Sequence, residues 1–328
     1  MKSRRKILVY VILLIVIDIM IMLMGQNSIP NFIGEGLLPL TVSNAIWCVL
    51  FDILIIYTFF NFDNIFKMPY ESLVNYHLGW DLSKNDFKVR YVGSYLGIFW
   101  AFINPLVTIL LYWIVFQFAF NSGDVDGFPF VLWLIAGLVP WFLIQDSITT
   151  GTNALIEYSY LVKKVMFKIS VLPSIKVISS ALVHVMFLVV VLIIYMFMGY
   201  YPSPLYMLQL LYYFVCALAF TLAIAYTTSA VVLFVRDLGQ FIAVFMQVFM
   251  WATPIMWRIS IIPENLKWII KLNPAYYIIN GYRDSLLYHV DVFKHLAYTL
   301  YFWVVVIVLM IIGTNTFNKL RLHFADIL

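Results

Sequence analysis

Charge is what this sequence has least of. Asp, Glu, Lys and Arg make up 11% of its 328 residues, where a soluble globular domain carries roughly 25%. That excludes an ordinary water-soluble fold, and no apolar-poor stretch is long enough for a separate soluble domain. Cysteine is limited to Cys48 and Cys216. Both lie in apolar segments, where buried thiols are expected rather than a disulfide. No Gly is followed by Lys, so there is no phosphate-cradling P-loop, and the chain does not bind ATP in that way. No His is followed by Glu, which excludes an H-E-x-x-H metal helix. The net charge of +4 is small and spread out, so no nucleic-acid partner is indicated.

What the sequence has in abundance is apolar length. Hydrophobic residues reach 64% and the mean hydropathy is +0.96. An all-α polytopic membrane protein with about eight transmembrane helices is expected. Lys2, Arg4, Arg5 and Lys6 precede the first apolar run, 7–24. That run exceeds the roughly 7–15 residues of a signal-peptide core and is read as a retained span. With a second span at 43–61 it forms an N-terminal hairpin, 1–62, with Asp18 and Asp52 in mid-span. An intramembrane acid is a functional candidate by default. Two neutral, hydrogen-bonded carboxyls where the hairpin packs is the preferred reading, since neither has a basic partner in its own segment.

Residues 63–82 read as a cytoplasmic linker. Further spans follow at 98–120, with a kink at Pro105, at 130–145, interrupted by Gly137 and Pro140, and at 175–198, 205–235, 239–257 and 295–314. The segment 258–290 does not fit a simple loop. Its apolar runs 266–272 and 276–279 are too short to cross a core about 30 Å thick. Re-entrant or interfacial half-helices are expected there.

Placing the N-terminus inside puts most Lys and Arg on one side. The other side's loops, 25–42, 119–129 and 199–205, contain none, as the positive-inside rule requires. Arg258, Lys267, Lys271, Arg283 and Lys294 break the pattern. Either the broken segment is functional or one span is miscounted, and the clean loops before it favour the first. From residue 98 onward the spans hold almost no ionisable group apart from His184 and the terminal Asp146. That argues against an ion-driven carrier, so the energy is expected to come from a partner. His289, Asp291 and His295 are close in sequence, but interfacial hydrogen bonding outweighs a metal site because no fourth ligand is evident.

Residues 83–105 begin as a charged, half-apolar segment and become a membrane span without a break. Ser83 and Asp86 read as a capping box, with Leu82 and Phe87 as its staple. Phe87, Tyr91 and Tyr95 fall near one face, and Lys84, Lys88 and Arg90 on the others. Such a helix suits a bilayer surface, apolar face down and basic groups among lipid phosphates. Gly93-x-x-x-Gly97 permits close helix approach or packing at the bend into the span. Aromatics make up 18% of the chain. Interfacial belts cover most of them, but Trp251, Trp257, Trp268, Tyr276, Tyr277 and Tyr282 are denser than a belt needs and suit the C–H faces of sugars.

Three stretches, in order, carry a resemblance. They are Arg90-Tyr91 through S-x-L-G-x-x-W to Pro105-Leu106; Gly137 to Pro173, with Pro140-Trp141 and the run before Leu172-Pro173; and Arg236-Asp237 through Thr253-Pro254-Ile255 to Asn273-Pro274 and Tyr282-Arg283. Over about 84–328 the chain resembles the membrane subunit of ABC-2 type exporters, especially the permeases of lipid-linked O-antigen, capsule and teichoic acid. It departs from them at residues 1–82.

The resemblance implies a transmembrane domain at 83–328 that pairs with a second copy over two ABC ATPase subunits. ATP and Mg would then bind to the partner, with no cofactor in this chain. It implies an interface helix at 83–96, where Lys84, Lys88 and Arg90 meet a substrate pyrophosphate, or equally ordinary anionic lipid or the ATPase. It implies a coupling loop at 149–173, with Glu157, Tyr160, Lys163 and Lys164 toward the ATPase. Lipid anchoring competes as an explanation for the two lysines. It implies an outer re-entrant segment with Arg258, Tyr276, Tyr277 and Arg283. Tyr112, Phe116, Phe249 and Trp251 would line the channel. The expected function is ATP-driven export of an undecaprenyl-linked glycan across the bacterial cytoplasmic membrane, with both termini inside. Export of a drug or peptide is the alternative. A membrane-embedded glycosyl- or acyltransferase is disfavoured, because no acid cluster or His-Asp pair faces one surface.

Overall fold

The computed structural model describes residues 40–93, 95–162 and 168–327. The first predicted span with Asp18, and Lys163 and Lys164 of the coupling run, lie outside the described residues. Those that are described form helices and turns, with one isolated β-bridge, Val125 to Phe128. The protein is an all-α polytopic membrane protein. Five described helical stretches are long and apolar enough to cross a bilayer.

Helix α1, Leu40–Val74, carries the second predicted span and continues into the expected linker as far as Val74. Helix α2, Tyr76–Tyr91, follows almost at once. The stretch 63–82 is therefore helical and docked. Ile65 and Met68 are buried in an apolar cluster with Leu172, Tyr226 and Phe317. Glu71 accepts from Ser170 at 2.5 Å and from Lys168 at 3.2 Å, and Ser72 bonds Ser174 at 2.9 Å. Helix α3, Trp100–Ile114, opens with a 3-10 turn at Gly97–Phe99 and ends in a π turn at Val115–Ala119.

Helix α4, Phe130–Thr152, is the centre of the bundle. It is apolar on every face, and such a helix is buried all round; from Leu132 to Ile144 nearly every side chain is inaccessible. Gly137 and Pro140 do not interrupt it. Helix α5, Val171–Phe197, and helix α6, Pro204–Val232, pack against it. At Gly151 a Cβ would lie 2.9 Å from that of Ala225, so α4 and α6 approach closely there. Helix α7, Leu238–Ala252, is shorter than the expected span 239–257. At 1.5 Å per residue it reaches about 22 Å, less than the apolar core. Thr253 turns extended, as a residue before proline does, and Pro254 stops the helix.

The broken segment consists of two short helices, α8, Glu264–Lys271, and α9, Pro274–Arg283, followed by a π turn at Asp284–Tyr288. The Asn273 side chain caps α9 by accepting from the Ala275 N–H at 2.9 Å, with Pro274 in the first turn. Helix α10, Leu296–Leu320, closes the bundle against α6. The broken segment meets the starts of α6 and α10, at the end of the bundle opposite the α1–α2 junction.

One expectation about residues 83–97 is overturned, and of the two readings of Gly93 and Gly97 the bend into the span is the one found. Ser83 is not a cap but sits inside α2, donating to the carbonyls of Gly79 at 2.7 Å and Ile175 at 3.1 Å. Gly93 and Gly97 do not bring helices together, since a Cβ on either would meet nothing within 4 Å. Their φ values of +86° and +52° make the turn from α2 into α3, a conformation glycine adopts without steric cost.

The tightest approach in the bundle is at Gly281, where a Cβ would stand 2.2 Å from the ring of buried Tyr213. Gly281→Ala is expected to lower the thermal unfolding midpoint in detergent, while Gly123→Ala, with nothing within 4 Å, leaves it unchanged.

Candidate functional site

A cavity of about 700 Å³ opens where the end of α2 meets α3, α4, α5 and α7. Its walls are of two kinds. Trp100, Tyr112, Phe142 and Trp251 supply aromatic surface, and Arg90, Asn104, Gln145, Asp146 and Gln247 supply hydrogen-bonding groups. An aromatic cleft with a few convergent polar groups is the usual form of a small-molecule site.

The polar end rests on a chain of ion pairs. Helix α2 turns Gly79, Ser83 and Asp86 into the protein, while Leu78, Trp80 and Val89 are exposed. Asp86 Oδ1 accepts from Lys176 Nζ at 2.5 Å and from the Tyr158 hydroxyl at 2.9 Å. Its Oδ2 accepts from Arg90 Nε at 3.2 Å, and Arg90 NH1 donates to Asp146 Oδ2 at 2.8 Å. Lys176 also pairs with Glu157, which follows α4 on the one-turn helix Ala154–Glu157. The chain thus runs from that turn through α5 and α2 to the cavity wall. Arg90 has one group left over, as its NH2 is buried without a hydrogen-bond partner.

Burial would raise the Asp86 carboxyl. The Lys176 ammonium, with Arg90 behind it, outweighs burial and holds the carboxyl below the ordinary carboxylate range. The stability this adds is present above the ordinary carboxylate pKa. It is lost only as pH falls through the depressed folded value. Burial likewise opposes the Arg90 charge, and Asp146 and Asp86 more than restore it.

The basic residues expected to act together separate. Lys84 is exposed, pairing with Asp81 at 2.9 Å, and Lys88 is exposed too. Only Arg90 reaches the cavity. Of the four aromatics expected at a channel, Tyr112 and Trp251 are on the cavity wall, their rings 6.4 Å apart and edge-on. Phe116 packs on Phe130 at 5.7 Å, and Phe249 on Trp141 at 5.8 Å. In the coupling stretch Tyr160 is exposed and Glu157 is tied to Lys176.

Arg258 is exposed. Tyr276 and Tyr277 sit in the first turn of α9, and the Tyr277 hydroxyl bonds Tyr212 and Thr299. Arg283 is no loop charge. It is 3% exposed, its guanidinium 3.6 Å from the Trp133 ring centroid, and it donates to the carbonyls of Pro254 at 2.9 Å and Ile255 at 2.7 Å. It therefore holds the turn that ends α7 against α4, in the space that Gly137 leaves.

The expectation that the spans from residue 98 onward hold almost no charge is corrected at Lys176, which is buried in α5. Lys176 is not in the loop but one turn into α5. Its position after Pro173, at the entry to an apolar run, was the signal available. For Asp86 the signal was its i,i+4 spacing from Arg90.

The profile of the family described as ABC-2 type transporter matches residues 78–287. Two O-antigen export system permease proteins RfbA of Klebsiella pneumoniae are each 30% identical over 263 residues, 80% of this chain and 99% of theirs. One of Myxococcus xanthus is 29% identical over 210 residues, 63% of this chain and 79% of its own.

Breaking a buried pair leaves the other charge uncompensated, at a cost of about 3–5 kcal/mol. Asp86→Asn and Lys176→Met are each expected to lower the unfolding midpoint sharply. Asp86→Asn with Lys176→Met together should lose less than the sum of the two, as read by a double-mutant cycle in detergent.

Proposed function

This chain belongs to the ABC-2 type transporter family, and we propose that it is the permease subunit of an ATP-driven exporter that moves a lipid-linked polysaccharide across the bacterial cytoplasmic membrane. The family supplies the transport role. The relatives that match over nearly their whole length are named for O-antigen export, which favours a glycan over a drug or peptide. The observation that carries the reading is the cavity itself. Arg90, held charged and with a free donor, stands at its polar end. Tyr112 and Trp251 offer apolar faces further in. A pyrophosphate bound to a sugar needs both, because guanidinium pairs with phosphate oxygens and aromatic rings accept the C–H side of a pyranose.

ATP and Mg bind to separate ATPase subunits in this reading. The turns at Ala154–Glu157 and Ser159–Val162, with Lys163 and Lys164 after them, are the docking site. In this reading that end and both termini face the cytoplasm, and the broken segment faces outside. A second copy completes the path. Phe241, Val244, Val248 and Trp251 form an exposed apolar stripe along α7 beside the cavity, which suits a partner helix. In this reading the chain supplies neither a catalytic group nor a cofactor site of its own.

Deleting the gene should abolish surface polysaccharide and accumulate undecaprenyl-linked glycan inside the cell. Unchanged surface glycan would sink the reading. Arg90→Ala should reduce export while the ATPase still co-purifies, and normal export would remove Arg90 from the substrate's path. Replacing Lys163 and Lys164 by Glu should release the ATPase on co-purification. Intact association together with intact transport would withdraw the docking assignment.

A further inference from the structure

A second cavity, of about 140 Å³, lies in the broken segment and shares no wall with the first. A single water needs about 10–15 Å³, so there is room for a ring-sized molecule. It is walled by Tyr213 of α6, Tyr276, Tyr277 and Asn280 of α9, and Tyr298 of α10. Asp284, Lys271 and His295 also face it.

Two of these groups are short of partners. The Tyr298 hydroxyl is buried with no hydrogen bond, which costs free energy that a ligand would recover. Asp284 is 4% exposed. Its side-chain contacts, Asn280 Nδ2 at 3.3 Å and His295 Nε2 at 3.5 Å, both reach Oδ2 and are long. Lys271 Nζ stands 5.9 Å over the Tyr298 ring and has no ion pair among the described residues.

The chemistry narrows the ligand. One carboxylate, one ammonium and a histidine leave no strong excess of either charge, so neither a phosphate nor a metal cation is favoured. No group of three His, Cys, Asp or Glu converges among the described residues. An acyl chain would leave the Asp284, Asn280 and Tyr298 groups unsatisfied. Tyrosine faces for C–H contact, next to a carboxylate, an amide and a hydroxyl for adjacent hydroxyl groups, fit an uncharged sugar.

We propose that this cavity is a saccharide-binding site that takes one neutral or N-acetylated pyranose ring at the end of the bundle remote from Arg90. Only the source of that ring, the exported glycan, rests on the polysaccharide reading. Asp284 and Asn280 pair with neighbouring hydroxyls, the Tyr298 hydroxyl supplies a further hydrogen bond, and the tyrosine rings cover the apolar face.

Saturation-transfer NMR and titration on the full-length permease, with its ATPase, in nanodiscs test this. The probes are methyl glycosides of glucose, galactose, mannose, rhamnose and N-acetylglucosamine. At least one should bind. Tyr298→Phe, which removes only an unbonded hydroxyl and leaves the fold intact, should weaken binding by about fivefold, the worth of one hydrogen bond. Asp284→Asn should weaken it further, and Arg90→Ala should not change it. No binding by any glycoside overturns the site. So does binding that ignores both Tyr298→Phe and Asp284→Asn, or binding that is lost with Arg90→Ala. Polysaccharide export in the deletion strain is scored separately. Glycoside binding that fails beside lost export condemns the pocket alone, and glycoside binding beside normal export condemns only the exporter reading.

Discussion

The buried pair between Asp86 and Lys176 is the constraint on which one end of this bundle depends. Neither side chain is solvated, and each would be costly without the other. Their bond fixes α2 on α5. Arg90, one turn along α2, then has to meet Asp146 at the end of α4. Tyr158 and Glu157 complete the ligation of the same pair from the turns beyond α4. One ionic chain thereby joins the proposed ATPase-docking turns to the wall of the cavity. A shift of those turns would move charges that Arg90 feels, as the proposed ATP-driven mechanism requires.

The opposite end is held by a different device. There Arg283 is not paired with a carboxylate but stacked on Trp133 and bonded to the backbone carbonyls of Pro254 and Ile255. Those carbonyls would otherwise be unsatisfied where Pro254 stops α7, and an apolar environment penalises each unsatisfied backbone group by several kcal/mol. The half-helix α9 is possible because α4, α6 and α10 pack around it, whereas α8 buries no residue and α7 keeps one apolar face exposed. The two cavities follow from this division. The larger lies beside the ionic chain, and the smaller is enclosed by the tyrosines of α6, α9 and α10.

Much of the fold was legible in the sequence because the bilayer simplifies the code. Long apolar runs have to be helices, and the helices found at 130–152, 171–197, 204–232 and 296–320 overlap the runs. The broken segment was legible as well, since its apolar runs are shorter than the membrane. Boundaries were less so. Pro140 reads as a break but is tolerated in α4, whose surroundings hold it on every side. Residues 63–82 read as a linker because they are polar, yet they are helical and packed.

Composition and run length by themselves determined that this chain is an all-α membrane protein, and the order of its motifs pointed to the exporter family. They could not decide which face of α2 turns inward. Apolar periodicity marks the face that prefers lipid. On the other faces Ser83 and Asp86 read as a cap, and Lys84, Lys88 and Arg90 as contacts to substrate pyrophosphate, lipid or the ATPase. Only the tertiary structure brought Lys176, ninety residues away in sequence from Asp86, to the face that holds Asp86 and turned a presumed surface helix into the core of an ionic network. The physical reason is that a charge buried in an apolar bundle is permitted only by its partner, and the partner is chosen by packing rather than by sequence spacing.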